Sequence, residues 1–179
     1  MGLEMLEDIT FFAHVHWHRY NGGVLFPIEI GIAEVLPKNV PEDRRRTLLV
    51  TVKNAGRRRT RGDLRTNMFI SHEFSNLPHN YSGKYELDEA ERKVVDFVRG
   101  ATVAVKGLEQ RKYFEGLGLY VLEIKSEVVQ DCPKFEDLPD EVRRPKSTRR
   151  FHHLEHRRKD DEKCSQIRAL RYAKFVEML

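Results

Sequence analysis

Ile9-Thr10-Phe11-Phe12-Ala13-His14-Val15-His16-Trp17, then Asn21-Gly22-Gly23, then Val24-Leu25-Phe26-Pro27-Ile28-Glu29-Ile30-Gly31-Ile32-Ala33-Glu34-Val35, is the stretch that decides the fold. The first run alternates as a half-buried strand does. Ile9, Phe11, Ala13, Val15 and Trp17 lie on one face. Thr10, Phe12, His14, His16 and, if the strand continues, His18 lie on the other. Asn21-Gly22-Gly23 is a turn signal. The second run is a strand whose apolar character is interrupted by Glu29, and Thr47–Val52 supplies a third. The three predict an antiparallel meander.

Residues 54–85 read mostly as loop, broken by a short apolar run at Met68-Phe69-Ile70. Leu87–Val98 is a helix with Leu87, Val94, Val95 and Val98 tending to one side. Ala101–Val105 is a buried strand, followed by a short helix around Gln110–Phe114 and a strand at Tyr120–Ile124. An irregular, charged section runs from Asp131 to Lys146. A final helix spans about Asp160 to Met178, with Cys164, Ile167, Leu170, Phe175 and Leu179 available for burial. A meander followed by β/α crossovers gives an α/β mixed sheet flanked by helices. At 179 residues, the chain reads as one domain over residues 1–179.

Apolar residues make up 40% and charged residues 34% of the chain, which predicts a globular protein with a heavily charged surface. No apolar run approaches the roughly 20 residues that span a bilayer, and the acidic start lacks the basic segment of a signal peptide. Two cysteines, Cys132 and Cys164, are too few for a disulfide framework and favour a reducing, intracellular compartment. The net charge is +4, but its distribution is more telling. Arg44, Arg45, Arg46, Lys53, Arg57, Arg58, Arg59, Arg61 and Arg65 face only Glu42, Asp43 and Asp63 within residues 42–65. A second basic run includes Arg149, Arg150, Arg157 and Arg158. Clustered guanidinium groups suit a phosphate backbone. A solvated charge run is the plainer account of the same residues.

The C-terminal end carries the candidate chemistry. His153, His156 and Cys164 form an H-x2-H-x7-C set, and all three side chains suit zinc. His156 and Asp161 also form H-x4-D, which places an acid–base pair near a helix start. His152 offers an alternative to His153, and His14, His16 and His18 a separate cluster. The plainer account makes the C-terminal histidines solvent-facing groups in a basic loop and Cys164 a small core residue.

The element order resembles the ribonuclease H-like fold. Phe26-Pro27-Ile28-Glu29-Ile30-Gly31 is similar to the second strand of DEDD-type 3′–5′ exonucleases, and His156-x4-Asp161 to their last motif. The nearer resemblance is to the Maelstrom domain, a branch of that fold that typically lost the nuclease acids. That branch carries a Glu in a Pro-x-Glu-Ile-Gly strand. It also carries a metal triplet: Cys or His, then His three residues on, then Cys eight residues further. The matching positions are Glu29, His153, His156 and Cys164, with His153 taking the place often held by Cys. The resemblance implies one structural zinc ion on these four residues, clipping the last helix to the sheet. It implies RNA binding, to single-stranded or structured RNA, in small-RNA-guided (piRNA) transposon silencing in germ cells. Silencing-pathway proteins would be the partners, in the nucleus and cytoplasmic granules.

For that role the RNA-contact candidates are Arg57, Arg58, Arg59, Arg61, Arg149, Arg150, Arg157 and Arg158. They come without an obvious aromatic platform, which suggests backbone or shape recognition. The rival is a ribonuclease using His156 and Asp161. A two-metal site needs about four carboxylates, yet the first strand shows His14-Val15-His16 where the first two acids would lie. Only Glu109 stands near the place of the third. Metal-independent RNA cleavage and a protein-interaction scaffold are the remaining readings.

Overall fold

The computed structural model describes residues 4–124, 132–143, 156 and 161–179. Five strands form one mixed sheet: β1 (Ile9–Tyr20), β2 (Val24–Glu34), β3 (Thr47–Thr51), β4 (Thr102–Val105) and β5 (Val121–Glu123). The strand order is β3-β2-β1-β4-β5. The β1–β2 and β2–β3 pairs are antiparallel, and β1–β4 and β4–β5 are parallel. The helices are α1 (Glu4–Glu7), α2 (Arg61–Ile70), α3 (Leu87–Val98), α4 (Leu108–Gly116), α5 (Asp140–Arg143) and α6 (Ser165–Glu177). The fold is α/β, a mixed sheet flanked by helices, compatible with the ribonuclease H-like arrangement.

The meander forms because its turn and its alternation agree. Asn21, Gly22 and Gly23 all adopt positive φ, which the β1–β2 hairpin requires and glycine permits. Along β2, Phe26, Ile28, Ile30 and Ile32 enter one core with Val94 and Val98 of α3 and Phe114 of α4. Ala33 turns to the opposite face, where it meets Phe12, Leu170, Tyr172 and Ala173 of the second core. Arg45 ties the end of α6 to the sheet: its buried guanidinium pairs with Glu177 at 2.6 Å and Glu42 at 2.8 Å.

Several expectations need correction. Residues 61–70 are helix rather than loop. Thr60 and Asp63 form a capping box, a Thr-x-x-Asp signal present in the sequence. The helical period is hidden because the buried positions are Asp63, Asn67 and Ile70, two of them polar. Those polar groups close the free edge of β1 beyond β4. Asn67 accepts from Arg19 N at 2.8 Å and donates back to Arg19 O at 3.0 Å. Asp63 accepts from Asn21 N at 2.9 Å. Gln110 of α4 does the same at Val15, with both bonds 2.8 Å. Side-chain amides thus replace a neighbouring strand.

Other departures are smaller. Val95 of α3 is 37% exposed, and Ala90 takes the inward place expected of it. Leu179 is exposed rather than buried. The final helix begins at Ser165, after a 3₁₀ turn at Asp161–Lys163. The section before it carries a 3₁₀ turn at Phe135–Asp137 and α5. Ile9 joins the α6-side core instead of sharing a face with Phe11.

Candidate metal centre and the cleft beside it

Strand alternation on β2 sends Glu29 and Gly31 toward α6. Gly31 matters because α6 begins directly over it: a β-carbon there would lie 2.2 Å from the Ser165 carbonyl carbon. The absence of a side chain lets the head of the helix reach Glu29, whose Oε1 accepts from Ser165 N at 2.6 Å. A buried carboxylate at a helix N-terminus is favoured by the free N–H groups and the dipole. Cys164 is the N-cap residue of that helix and is fully buried.

His156 completes the group. Its Nε2 faces Glu29 Oε2 at 2.9 Å, and its Nδ1 faces the Ser75 carbonyl at 2.6 Å. Glu29, His156 and Cys164 are all buried, and one ligand atom from each lies within 4.8 Å of the others. Ligand atoms around a tetrahedral ion at about 2.0–2.3 Å stand roughly 3.3–3.8 Å apart, a spacing that falls inside this limit. A carbonyl on the second ring nitrogen is the usual partner of a ligating histidine. The group could hold a metal ion. His153 and the alternative His152 lie outside the described residues, as does the side chain of Asp161.

The β1 histidines divide between the two sides of the sheet. His14 Nδ1 meets Ser165 Oγ at 3.0 Å, and His16 Nε2 meets the Lys163 carbonyl at 2.5 Å. They hold the residues on either side of Cys164. Burial lowers both pKa values, that of His16 to about 4, so both rings are neutral at pH 7. His18 does not join them. The β1–β2 register shifts between His16 and Trp17, and a one-residue slip exchanges faces. His18 therefore pairs with Phe26 and meets Asn54 at 3.0 Å on the opposite side. A joint site of His14, His16 and His18 is ruled out by this geometry.

Beside the candidate metal centre lies a cleft of about 190 Å³ lined by residues that include His14, His16, Trp17, Phe74, Glu109 and Arg168. Glu109 is the one carboxylate among the described residues lining it, and Arg19 holds it through bonds of 2.8 and 3.0 Å.

The basic candidates are not equivalent. Arg58 and Arg61 are exposed. Arg57 lies over the Phe26 ring at 3.9 Å and the Tyr20 ring at 5.3 Å, and Arg59 donates to the His79 carbonyl at 3.0 Å. Arg149, Arg150, Arg157 and Arg158 lie outside the described residues. Two exposed phenylalanines that sequence reasoning passed over, Phe69 at 59% and Phe74 at 54%, lie at the end of α2 and in the turn after it. Among the described residues no helix is long and apolar enough to cross a membrane. No family model matches the chain, and no curated protein matches its sequence.

Proposed function

We propose that this chain is a non-catalytic RNA-binding module of the Maelstrom type, held together by one structural zinc ion. The observation that carries the reading is the convergence of Glu29, His156 and Cys164, the outer two of which are 135 positions apart in sequence, in one buried group. These are three of the four residues that the resemblance implies for the ion, with His153 as the fourth. A mixed sulfur, nitrogen and oxygen donor set in a closed site suits zinc better than magnesium or calcium, which take oxygen ligands. The ion would clip the head of α6 to β2.

RNA is the proposed ligand, through Arg58 and Arg61 together with Arg57, Arg59, Arg149, Arg150, Arg157 and Arg158. The proposed setting is piRNA-guided transposon silencing with its partner proteins, in nucleus and cytoplasmic granules. The cleft supports binding over two-metal nuclease chemistry, because it presents neutral His14 and His16 and an Arg-paired Glu109.

The test is elemental analysis of untagged protein purified without added zinc or chelator, alongside RNA binding at near-physiological salt. The expected result is about one zinc per chain, lost in His156→Ala and Cys164→Ala, with RNA bound. Magnesium-dependent RNA cleavage that disappears in Asp161→Ala would replace this reading with the nuclease one.

A further inference from the structure

α2 runs without a break into a single π turn, Ser71–Ser75, closed by Asn76 in the left-handed region at φ 55°. π turns are rare and often mark functional sites. Here the turn brings Phe74 beside Phe69, with ring centroids 6.0 Å apart and edge to face. Leu64 and Met68 of α2 are also exposed, at 38% and 51%. Arg61 and Arg65 project from the same helix, both exposed. The only acid in α2, Asp63, is buried and engaged by Thr60 and Asn21. Glu73, the acid of the turn, is met by His72 at 2.7 Å. Phe74 also forms a wall of the cleft that Trp17 and Arg168 line.

The turn is anchored from behind. His156 Nδ1 meets the Ser75 carbonyl at 2.6 Å, and Lys163 Nζ donates to the Glu73 carbonyl at 3.1 Å. The candidate metal centre therefore holds the backbone that presents Phe74.

We infer that Phe69 and Phe74 form a stacking platform for unpaired bases of single-stranded RNA, with Arg61 and Arg65 on the adjoining phosphates. This inference rests on the RNA-binding reading above. Exposed aromatic rings accept the faces of splayed bases, which a duplex keeps stacked internally. Arginines interleaved with the apolar side chains, on a helix whose one acid is buried, fit a polyanion better than an apolar protein segment.

The experiment uses the full chain, purified without chelator, and a fluorescein-labelled 12-nucleotide single-stranded RNA, with the matching blunt duplex as comparison. Binding is followed by anisotropy across a salt series and by the fluorescence of Trp17, the single tryptophan. Phe69→Ala and Phe74→Ala each weaken single-strand binding about tenfold with the salt slope unchanged. Phe74→Tyr restores it. Arg61→Ala and Arg65→Ala flatten the salt slope. Both phenylalanines are exposed, so unchanged melting temperatures will show that the variants are folded. Wild-type binding of RNA with equal affinity by the alanine variants overturns the platform and leaves the RNA reading intact. Failure of the wild type to bind any RNA sinks both. A concentration-dependent dimer abolished by the two alanine changes, with RNA binding untouched, would reassign this face to self-association.

Discussion

Gly31 lies directly beneath Ser165, so close that a β-carbon on it would sit 2.2 Å from a backbone carbon of α6 and 2.3 Å from Gln166 N. Backbone cannot swing aside as a flexible side chain can. Gly31→Ala should therefore lift the head of α6, carrying Cys164 and Ser165 away from Glu29. Overpacking of this kind costs about 1–3 kcal/mol. Urea denaturation should show that loss, and elemental analysis should show metal content falling with it.

If Glu29, His156 and Cys164 hold a structural ion, removing it takes away the one charge to which all three side chains would be bound. Loss of one member of such a buried group costs about 3–5 kcal/mol, or roughly 10 °C in a domain of this size. Chelator should lower the melting temperature of the wild type by that order. Cys164→Ala should melt low already and respond to chelator hardly at all. An equal chelator response in both proteins would count against Cys164 as a ligand.

His18 gives a pH signature separate from the candidate metal centre. It is fully buried between Asn54 and Tyr20, with Arg59 and His79 nearby. Burial chiefly, helped by Arg59 and then His79, lowers its pKa from the usual 6.5 to about 4. The unfolded chain takes up this proton near pH 6.5 and the folded chain only near 4. Stability is therefore fully present above pH 6.5 and lost as pH falls toward 4, by about 1.4 kcal/mol per pH unit. Chemical denaturation at pH 7, 6 and 5 should show that slope reduced by about one proton in His18→Gln.

Arginine changes in residues 57–61 should separate into two classes. Arg57 covers Phe26 and Tyr20, and lost cation–π packing costs about 0.5–2 kcal/mol. Arg57→Ala should lower the melting temperature as well as RNA affinity. Arg58→Ala should weaken RNA binding and reduce its salt dependence without moving the melting temperature. A melting shift in Arg58→Ala equal to that of Arg57→Ala would contradict this division.

The amide substitutes for a strand can be tested at Gln110. Its side chain satisfies both backbone groups of Val15, in a part of β1 beyond its pairing with β4. Gln110→Ala should cost about 1–3 kcal/mol, and hydrogen exchange at the Val15 amide should accelerate. Gln110→Glu should restore only the bond that Val15 N donates.

Much of this fold was legible in the chain. The meander followed from the alternation around Asn21-Gly22-Gly23, because side-chain period and turn chemistry are local properties. α3 followed from its apolar spacing for the same reason, apart from Val95. α2 was missed because its inward positions are Asp63 and Asn67, and a helix that buries polar groups against a strand edge shows no apolar period. The Thr60–Asp63 capping box was its one local signal.

The candidate site divides in the same way. Glu29, His156 and Cys164 were identifiable by residue type and by the resemblance of their motifs. Their meeting required β2 to turn Glu29 toward α6 and Gly31 to admit the helix head. The split of His14 and His16 from His18 required a register shift that no spacing reveals. The pairing of Phe69 with Phe74 required a π turn. Residue type and local period are written along the chain, and they determined the strands, α3 and the donor chemistry. Which side chains share a face or a surface depends on backbone registers set by packing between distant segments, and the tertiary structure alone decided that.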